Sequence, residues 1–204
     1  CDDKSEDGTT SEVLRMQKAF PDKDIKLLDG PGICKSQNVW TGFDAARGDV
    51  LMILDADLTV SPEELTKFYE EIRSNRGEYI NGSRLVYSME DAAMRFLNYV
   101  ANQFFAMTFS FLLNQQFTDT LCGTKVIGKE NYHRLKEARD YFGEFDPFGD
   151  FDLIFGATKL NLKMIEIPIR YRRRKYGTTQ ISRFRHGLLL TQMVFFAYRK
   201  LKAV

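Results

Sequence analysis

Cysteine is scarce in this sequence: Cys1, Cys34 and Cys122 are the only three in 204 residues, and no two stand at metal-ligand spacing. That excludes a disulfide framework and points to a reducing compartment. Histidine is scarcer, and neither His133 nor His186 has a nucleophile partner or a ligand spacing beside it, so both read as structural. Excess charge is missing too. The 29 Lys and Arg against 28 Asp and Glu leave a net charge of +1, which argues against a general nucleic-acid binder. No internal repeat or low-complexity tract appears, and no signal peptide is expected. There is no initiating methionine either. Cys1-Asp2-Asp3 reads as the tail of a strand, so the sequence is expected to be a fragment lacking its first strands.

What is present suffices for one domain with a full-sized core: 44% of the residues are hydrophobic. Val50 to Leu54 is wholly apolar and reads as a strand buried on both faces in the middle of a parallel sheet. Ser61-Pro62-Glu63-Glu64 supplies an N-cap, a first-turn proline and first-turn acids for a helix at about 62–75. Between them, Asp55 and Asp57 leave the C-terminal end of the strand, where open α/β sheets bind ligands. Two carboxylates there need a cation. Helices are expected at 9–19 and 36–47, the second ending at Gly48 in a C′ position. Strands are expected at 25–28, 78–84, 122–128 and 163–171. This alternation indicates an α/β fold with a largely parallel sheet.

Phe96 to Thr118 contains no charged residue, yet Asn98, Asn102, Gln103, Thr108 and Ser110 spoil it as a membrane span. It reads as a buried or membrane-facing helix. The C-terminal stretch HGLLLTQMVFFAYRKLK is too short to span but suits a membrane interface with basic flanks; an ordinary packed helix fits the same pattern. The organisation expected is a catalytic domain over 1–185 and an amphipathic helix over 186–204.

Asp55-Ala56-Asp57 has two enzymatic readings. In one, the carboxylates hold a hard divalent cation that bridges a sugar nucleotide's diphosphate. In the other, Asp55-Ala56-Asp57-Leu58-Thr59-Val60 resembles the signature of haloacid-dehalogenase-like phosphatases, with Asp55 as nucleophile and Asp57 as general acid–base. Context separates them, because a helix, a strand and a second helix precede the motif. Asp2-Asp3-Lys4-Ser5-Glu6-Asp7-Gly8-Thr9 resembles the D-D-x-S-x-D-G-T of family 2 glycosyltransferases. The stretch Thr41 to Asp49, followed by the strand and Asp55-Ala56-Asp57, resembles that family's G-x-x-x-A-x-G-D…D-A-D. Asn81-Gly82-Ser83-Arg84, Thr118-Asp119-Thr120-Leu121-Cys122-Gly123 and Arg174-Lys175-Tyr176-Gly177-Thr178-Thr179 are similar to signatures of its dolichyl- and polyprenyl-phosphate branch.

The resemblance implies a GT-A fold, inverting transfer from a nucleotide-activated sugar, and a Mg or Mn cofactor. It places Asp2, Asp3, Lys35 and Asp55 at the donor, Asp55 and Asp57 at the metal, and Asp119 with Asp150 in the catalytic set. Asp150 would be the base if the acceptor is a sugar hydroxyl. A lipid phosphate is already ionised and needs cations instead, for which Arg84, Arg95 and Arg174 match the branch. Asp150 also fits a helix N-terminal acid favoured by the dipole. The resemblance further implies peripheral attachment at the cytoplasmic face of a membrane. Two departures stand out: Cys34-Lys35-Ser36 replaces the usual G-K-G, and Thr59 stands where a third metal-side ligand is common. A degenerate, non-catalytic sugar-nucleotide binding module is the remaining alternative.

Overall fold

A computed structural model of the protein describes residues 1–84, 96–139, 151–172 and 183–202. The chain forms two compact units, one over Cys1–Arg47 and one from Gly48 onward.

In the first unit, helix α1 (Thr9–Ala19) starts after Gly8, whose φ of 84° is a left-handed value that glycine reaches without strain. Helix α2 (Lys35–Ala45) buries Ser36, Trp40 and Phe43, which fall on one helical face. It stops because Ala46 turns extended; Gly48 is not in the left-handed region and does not act as the C′ residue. The strand expected at 25–28 does not form a ladder. A single parallel bridge joins Asp2 to Asp29, closed by Asp2 N–H to Leu28 O (2.9 Å) and Gly30 N–H to Asp2 O (2.7 Å). One paired residue is too little for a strand.

The second unit is built on a four-stranded sheet in the order β1 (Val50–Met52), β3 (Lys125–Gly128), β2 (Tyr79–Ser83) and β4 (Met164–Pro168). Its sense corrects the expectation of a largely parallel sheet. β3 runs antiparallel to both β1 and β2, and β2 with β4 is the parallel pair. The apolar run at 50–54 is likewise not central: β1 is a terminal strand of this sheet, with only Leu51 of its three residues buried. The inner strands are β3 and β2, and β2 is buried at all five positions although its sequence is Tyr-Ile-Asn-Gly-Ser. A 3₁₀ turn (Pro62–Glu64) and α3 (Leu65–Arg73) follow β1, with Glu64 N–H on Ser61 O at 3.0 Å.

Phe68 of α3 packs in one core with Ile80, Val126, Ile167 and Ile169; burying such a phenylalanine contributes about 2–3 kcal/mol. A second aromatic cluster joins α4 (Phe96–Leu113) to α6 (Phe151–Lys159), where the ring centroids of Phe109 and Phe151 lie 4.8 Å apart. α5 (Lys129–Glu137) meets α6 where Gly156 faces Leu135, with no room for a Cβ. α7 (Arg183–Leu201) packs on α4. Their C-terminal ends are joined by Lys202 Nζ donating to Asn114 Oδ1 (2.7 Å). Among the described residues no helix is long and apolar enough to cross a membrane.

Gly82 is the tightest point of β2: an added Cβ would lie 2.7 Å from Cys122 Sγ and 3.3 Å from Thr124 O. Gly82→Ala should therefore lower stability by roughly 1–3 kcal/mol in urea unfolding, as overpacked cores do. Adding Cys122→Ala should recover part of the loss. An alanine tolerated at 82 without cost would mean the two segments are not packed this closely.

Candidate functional site

In the first unit, Asp2 is a buried turn organiser. Its Oδ1 accepts Ser5 N–H (3.2 Å) and its Oδ2 accepts the Thr10 hydroxyl (2.6 Å). Those hydrogen bonds, Ser5 first, hold its pKa below the usual carboxylate value. Asp3 is exposed and reaches across the loop, its Oδ1 accepting Gly32 N–H at 2.6 Å. Lys35 opens α2. Asp2 and Asp3, one residue apart, therefore differ in role: the first closes the turn, and the second presents a carboxylate at the glycine loop 30–32.

In the second unit the chain leaves β1 through Ile53 and Leu54 into a tight loop. Leu58 N–H bonds Asp55 O (3.2 Å), and Asp57 Oδ1 accepts both Thr59 N–H (3.1 Å) and Thr59 Oγ1–H (2.9 Å). Asp55 and Asp57 are half-buried. Thr59 is buried and acts on the orientation of Asp57, an Asx-type turn that sequence reading had not assigned to it. Between them Leu58 sits at φ 51°, left-handed for a non-glycine residue, and is 52% exposed. Among the described residues no third Asp, Glu, His or Cys completes a metal cluster with these carboxylates. Two hard oxygen-donor groups suit Mg or Mn, which ordinarily complete their shell with water and substrate phosphate.

The best-defined constellation lies between the end of β2 and the loop before β3. Arg84 Nε donates to Asp119 Oδ2 at 2.6 Å and its Nη2 to Oδ1 at 2.8 Å, a two-pronged pair reinforced by Arg84 N–H to Oδ2 at 3.1 Å. Leu121 N–H adds a fourth donor at 3.1 Å. The Asp119 side chain is 0% exposed and that of Arg84 13%. Burial pushes the Asp119 pKa up, but the Arg84 charge and hydrogen bonds outweigh it and hold the carboxyl below its ordinary range. Burial likewise works against the Arg84 charge, and Asp119 more than compensates, raising its pKa. Nearby, burial pushes the Cys122 thiol up to about 11. The Arg84 guanidinium also stands over the Tyr171 ring, 5.4 Å from its centroid.

Arg84, expected at an acceptor phosphate, and Asp119, expected in the catalytic set, are brought together as partners. With four donors on its two oxygens, Asp119 is poorly placed to take a proton. Arg95, Asp150 and Arg174 lie outside the described residues. Glu166 of β4 went unnoticed in the sequence, where a lone acid in an apolar strand looks like ordinary alternation. It touches both Thr118 and Asp119.

Removing either partner of a buried ion pair strands the other charge, so Arg84→Ala and Asp119→Ala should each cost roughly 3–5 kcal/mol in urea unfolding at neutral pH. The folded pKa of Asp119 lies below its unfolded value of about 3.9. Its contribution should be complete above that pH and lost as pH falls through the lower folded value. A single variant within about 1 kcal/mol of the parent would show that the pair is solvated.

The sequence profile of Glycosyl transferase family 2 matches residues 1–135. A dolichol-phosphate mannosyltransferase of Pyrococcus furiosus is 36% identical over 85 residues, covering 42% of this chain and 23% of that protein. Glycosyltransferase AglD of Haloferax volcanii is 25% identical over 169 residues, covering 83% of this chain and 26% of AglD. The chain thus spans about a quarter of the length of these relatives. Glucosyl-3-phosphoglycerate synthase from Mycobacterium tuberculosis, solved with Mn2+ and UDP-glucose, superposes with a TM-score of 0.60 at 15% identity, over 98% of this chain and 66% of that one. Its complex with Mn2+, UDP and glucosyl-3-phosphoglycerate gives 0.59 at 13%, over 97% and 66%. The fold is therefore GT-A. With its first 135 of 204 residues matched by the family profile, the chain belongs to glycosyl transferase family 2.

Proposed function

We propose that the protein is an inverting glycosyltransferase that moves a sugar from a nucleoside-diphosphate donor to a polyprenyl phosphate at the cytoplasmic face of a membrane. The observation that carries this is the loop at 55–59, where one carboxylate is held by Thr59 at the exit of β1 and a second stands two residues before it. Asp55 and Asp57 would hold Mg or Mn there, and the cation's chemistry is to neutralise charge on the departing diphosphate. Asp3 and Lys35, with Asp2 shaping the turn, are the donor-side groups of the first unit. Family membership favours this reading of Asp55 over a phosphatase nucleophile.

On the acceptor side, a phosphate monoester already carries the charge to attack, so the protein has to gather and orient it. Arg84, Arg95 and Arg174 are the groups proposed for this. Two of the five Arg84 side-chain N–H donors face Asp119, and the remaining donors of the guanidinium are the ones proposed to meet an anion. Asp119 acts here by aiming Arg84, and Asp150 has no base to supply. The name of the Pyrococcus relative, a dolichol-phosphate mannosyltransferase, supports the same acceptor class.

A lipid acceptor requires a membrane surface, and α4 with α7 suits one. Phe104, Met107 and Phe111 of α4 and Leu188 and Phe195 of α7 are all more than half exposed. No acidic residue occurs in 96–118 or 183–204, while Arg199, Lys200 and Lys202 are basic.

Three outcomes follow from this reading. In the intact protein, supplied with a panel of UDP- and GDP-sugars and manganese, Asp57→Ala should abolish transfer while the protein still folds, its thermal midpoint lowered only by the loss of the Thr59 hydrogen bonds; full activity of that variant in excess EDTA ends the metal-bridged reading. Asp150→Asn should be tolerated and Arg174→Ala should raise the acceptor KM. A kcat loss of roughly 10²–10⁴-fold in Asp150→Asn would instead assign a hydroxyl acceptor and a general base. Co-sedimentation with anionic vesicles should fall in Phe111→Asp/Phe195→Asp and in high salt; equal binding of parent and variant would leave α4 and α7 as packed helices only.

A further inference from the structure

Glu166 stands at the centre of β4 in register with Asn81 of β2, and in-register parallel neighbours share one face of a sheet. Asn81 Nδ2 donates to Glu166 Oε1 (3.1 Å) and to the Asp119 carbonyl (2.6 Å). Oε1 also accepts Asp119 N–H (3.3 Å), while Oε2 accepts Thr118 N–H and the Thr118 hydroxyl, each at 2.8 Å. All four partners are donors. An ionised carboxylate accepts at both oxygens, whereas a glutamine of the same shape offers one oxygen and one NH₂. Whichever way that amide turned, it would set a donor against either the Thr118 pair or the Asp119–Asn81 pair. The turn carrying Asp119 is thus gripped from behind by β4, while Tyr171, three residues beyond that strand, meets Arg84 in front.

We propose that Glu166 is a positioning residue: an acceptor-only clamp that fixes the Thr118–Asp119 backbone and, through it, the Asp119–Arg84 pair that meets the acceptor phosphate. The last clause rests on the function proposed above; the clamp itself does not.

The test is Glu166→Gln in the intact protein, with three readouts. Hydrogen exchange at the Thr118 and Asp119 amides should accelerate by roughly 10-fold, the size expected when a part-buried donor loses its acceptor. With manganese, a sugar nucleotide and a polyprenyl phosphate, the acceptor KM should rise by roughly 10-fold while the donor KM stays put. Phe68→Leu, a core change remote in kind, should lower the thermal midpoint without moving the acceptor KM, which separates positioning from general destabilisation. Unchanged exchange at Thr118 and Asp119 would overturn the clamp. Faster exchange with an unchanged acceptor KM would overturn its part in acceptor binding. If the parent protein transfers to no polyprenyl phosphate, the function reading falls, and the exchange measurement alone decides the clamp.

Discussion

A buried ion pair has to recover its desolvation, and the second unit is organised around one that does. Arg84 and Asp119 lose nearly all contact with water, a cost of several kcal/mol per ion. Attraction alone does not guarantee recovery; added hydrogen bonds and fixed geometry decide it. Here Asp119 receives four donors, and the backbone that carries it is pinned by Glu166 and Asn81. Polar residues are consequently admitted to the middle of the sheet. Asn81 and Ser83 are buried in β2 because they bond to this loop, Ser83 through a 2.6 Å contact with the Thr118 hydroxyl. Gly82 lies between them because no side chain fits against Cys122.

The local parts of this arrangement were legible in the sequence. The turn before Thr9 and the spacing after it place α1 at Thr9–Ala19, as expected. The Pro-Glu-Glu start of the helical segment after β1, the strand β2 and the strand around 164–168 also fall where composition puts them, although Ser61 makes no side-chain capping bond. Strand sense was not legible. An apolar run specifies that a strand is covered, not which neighbour pairs with it, and so leaves open that β1 is terminal and β3 antiparallel. The length of α4 was overdrawn for a similar reason. Residues 114–118 continue the uncharged pattern, but Asn114 takes a left-handed φ of 51° just after the helix ends.

The site was readable as a set of residues and unreadable as a set of pairs. Arg84 and Asp119 were both singled out, yet they are 35 positions apart, and each looked like a group waiting for a ligand. Thr59 appeared as a missing metal ligand; in the fold its N–H and hydroxyl orient Asp57. Glu166 carried no motif that its own surroundings could explain. What chemistry-bearing residues do for one another depends on which strands adjoin, and that is the part apolar patterning leaves open.

The three cysteines finally divide between the two units in a way that matters to anyone handling the protein. Cys1 is exposed and Cys34 half-buried, both within Cys1–Arg47, whereas Cys122 is buried in the second unit. With its thiol pushed up to about 11, Cys122 offers almost no thiolate at neutral pH, and the thiolate is the reactive form. Thiol-directed dyes and spin labels are thereby directed to Cys1 and Cys34 of the first unit. The addressable stretch of this chain is therefore Cys1–Arg47, where reporters can be mounted with Cys122 left in place.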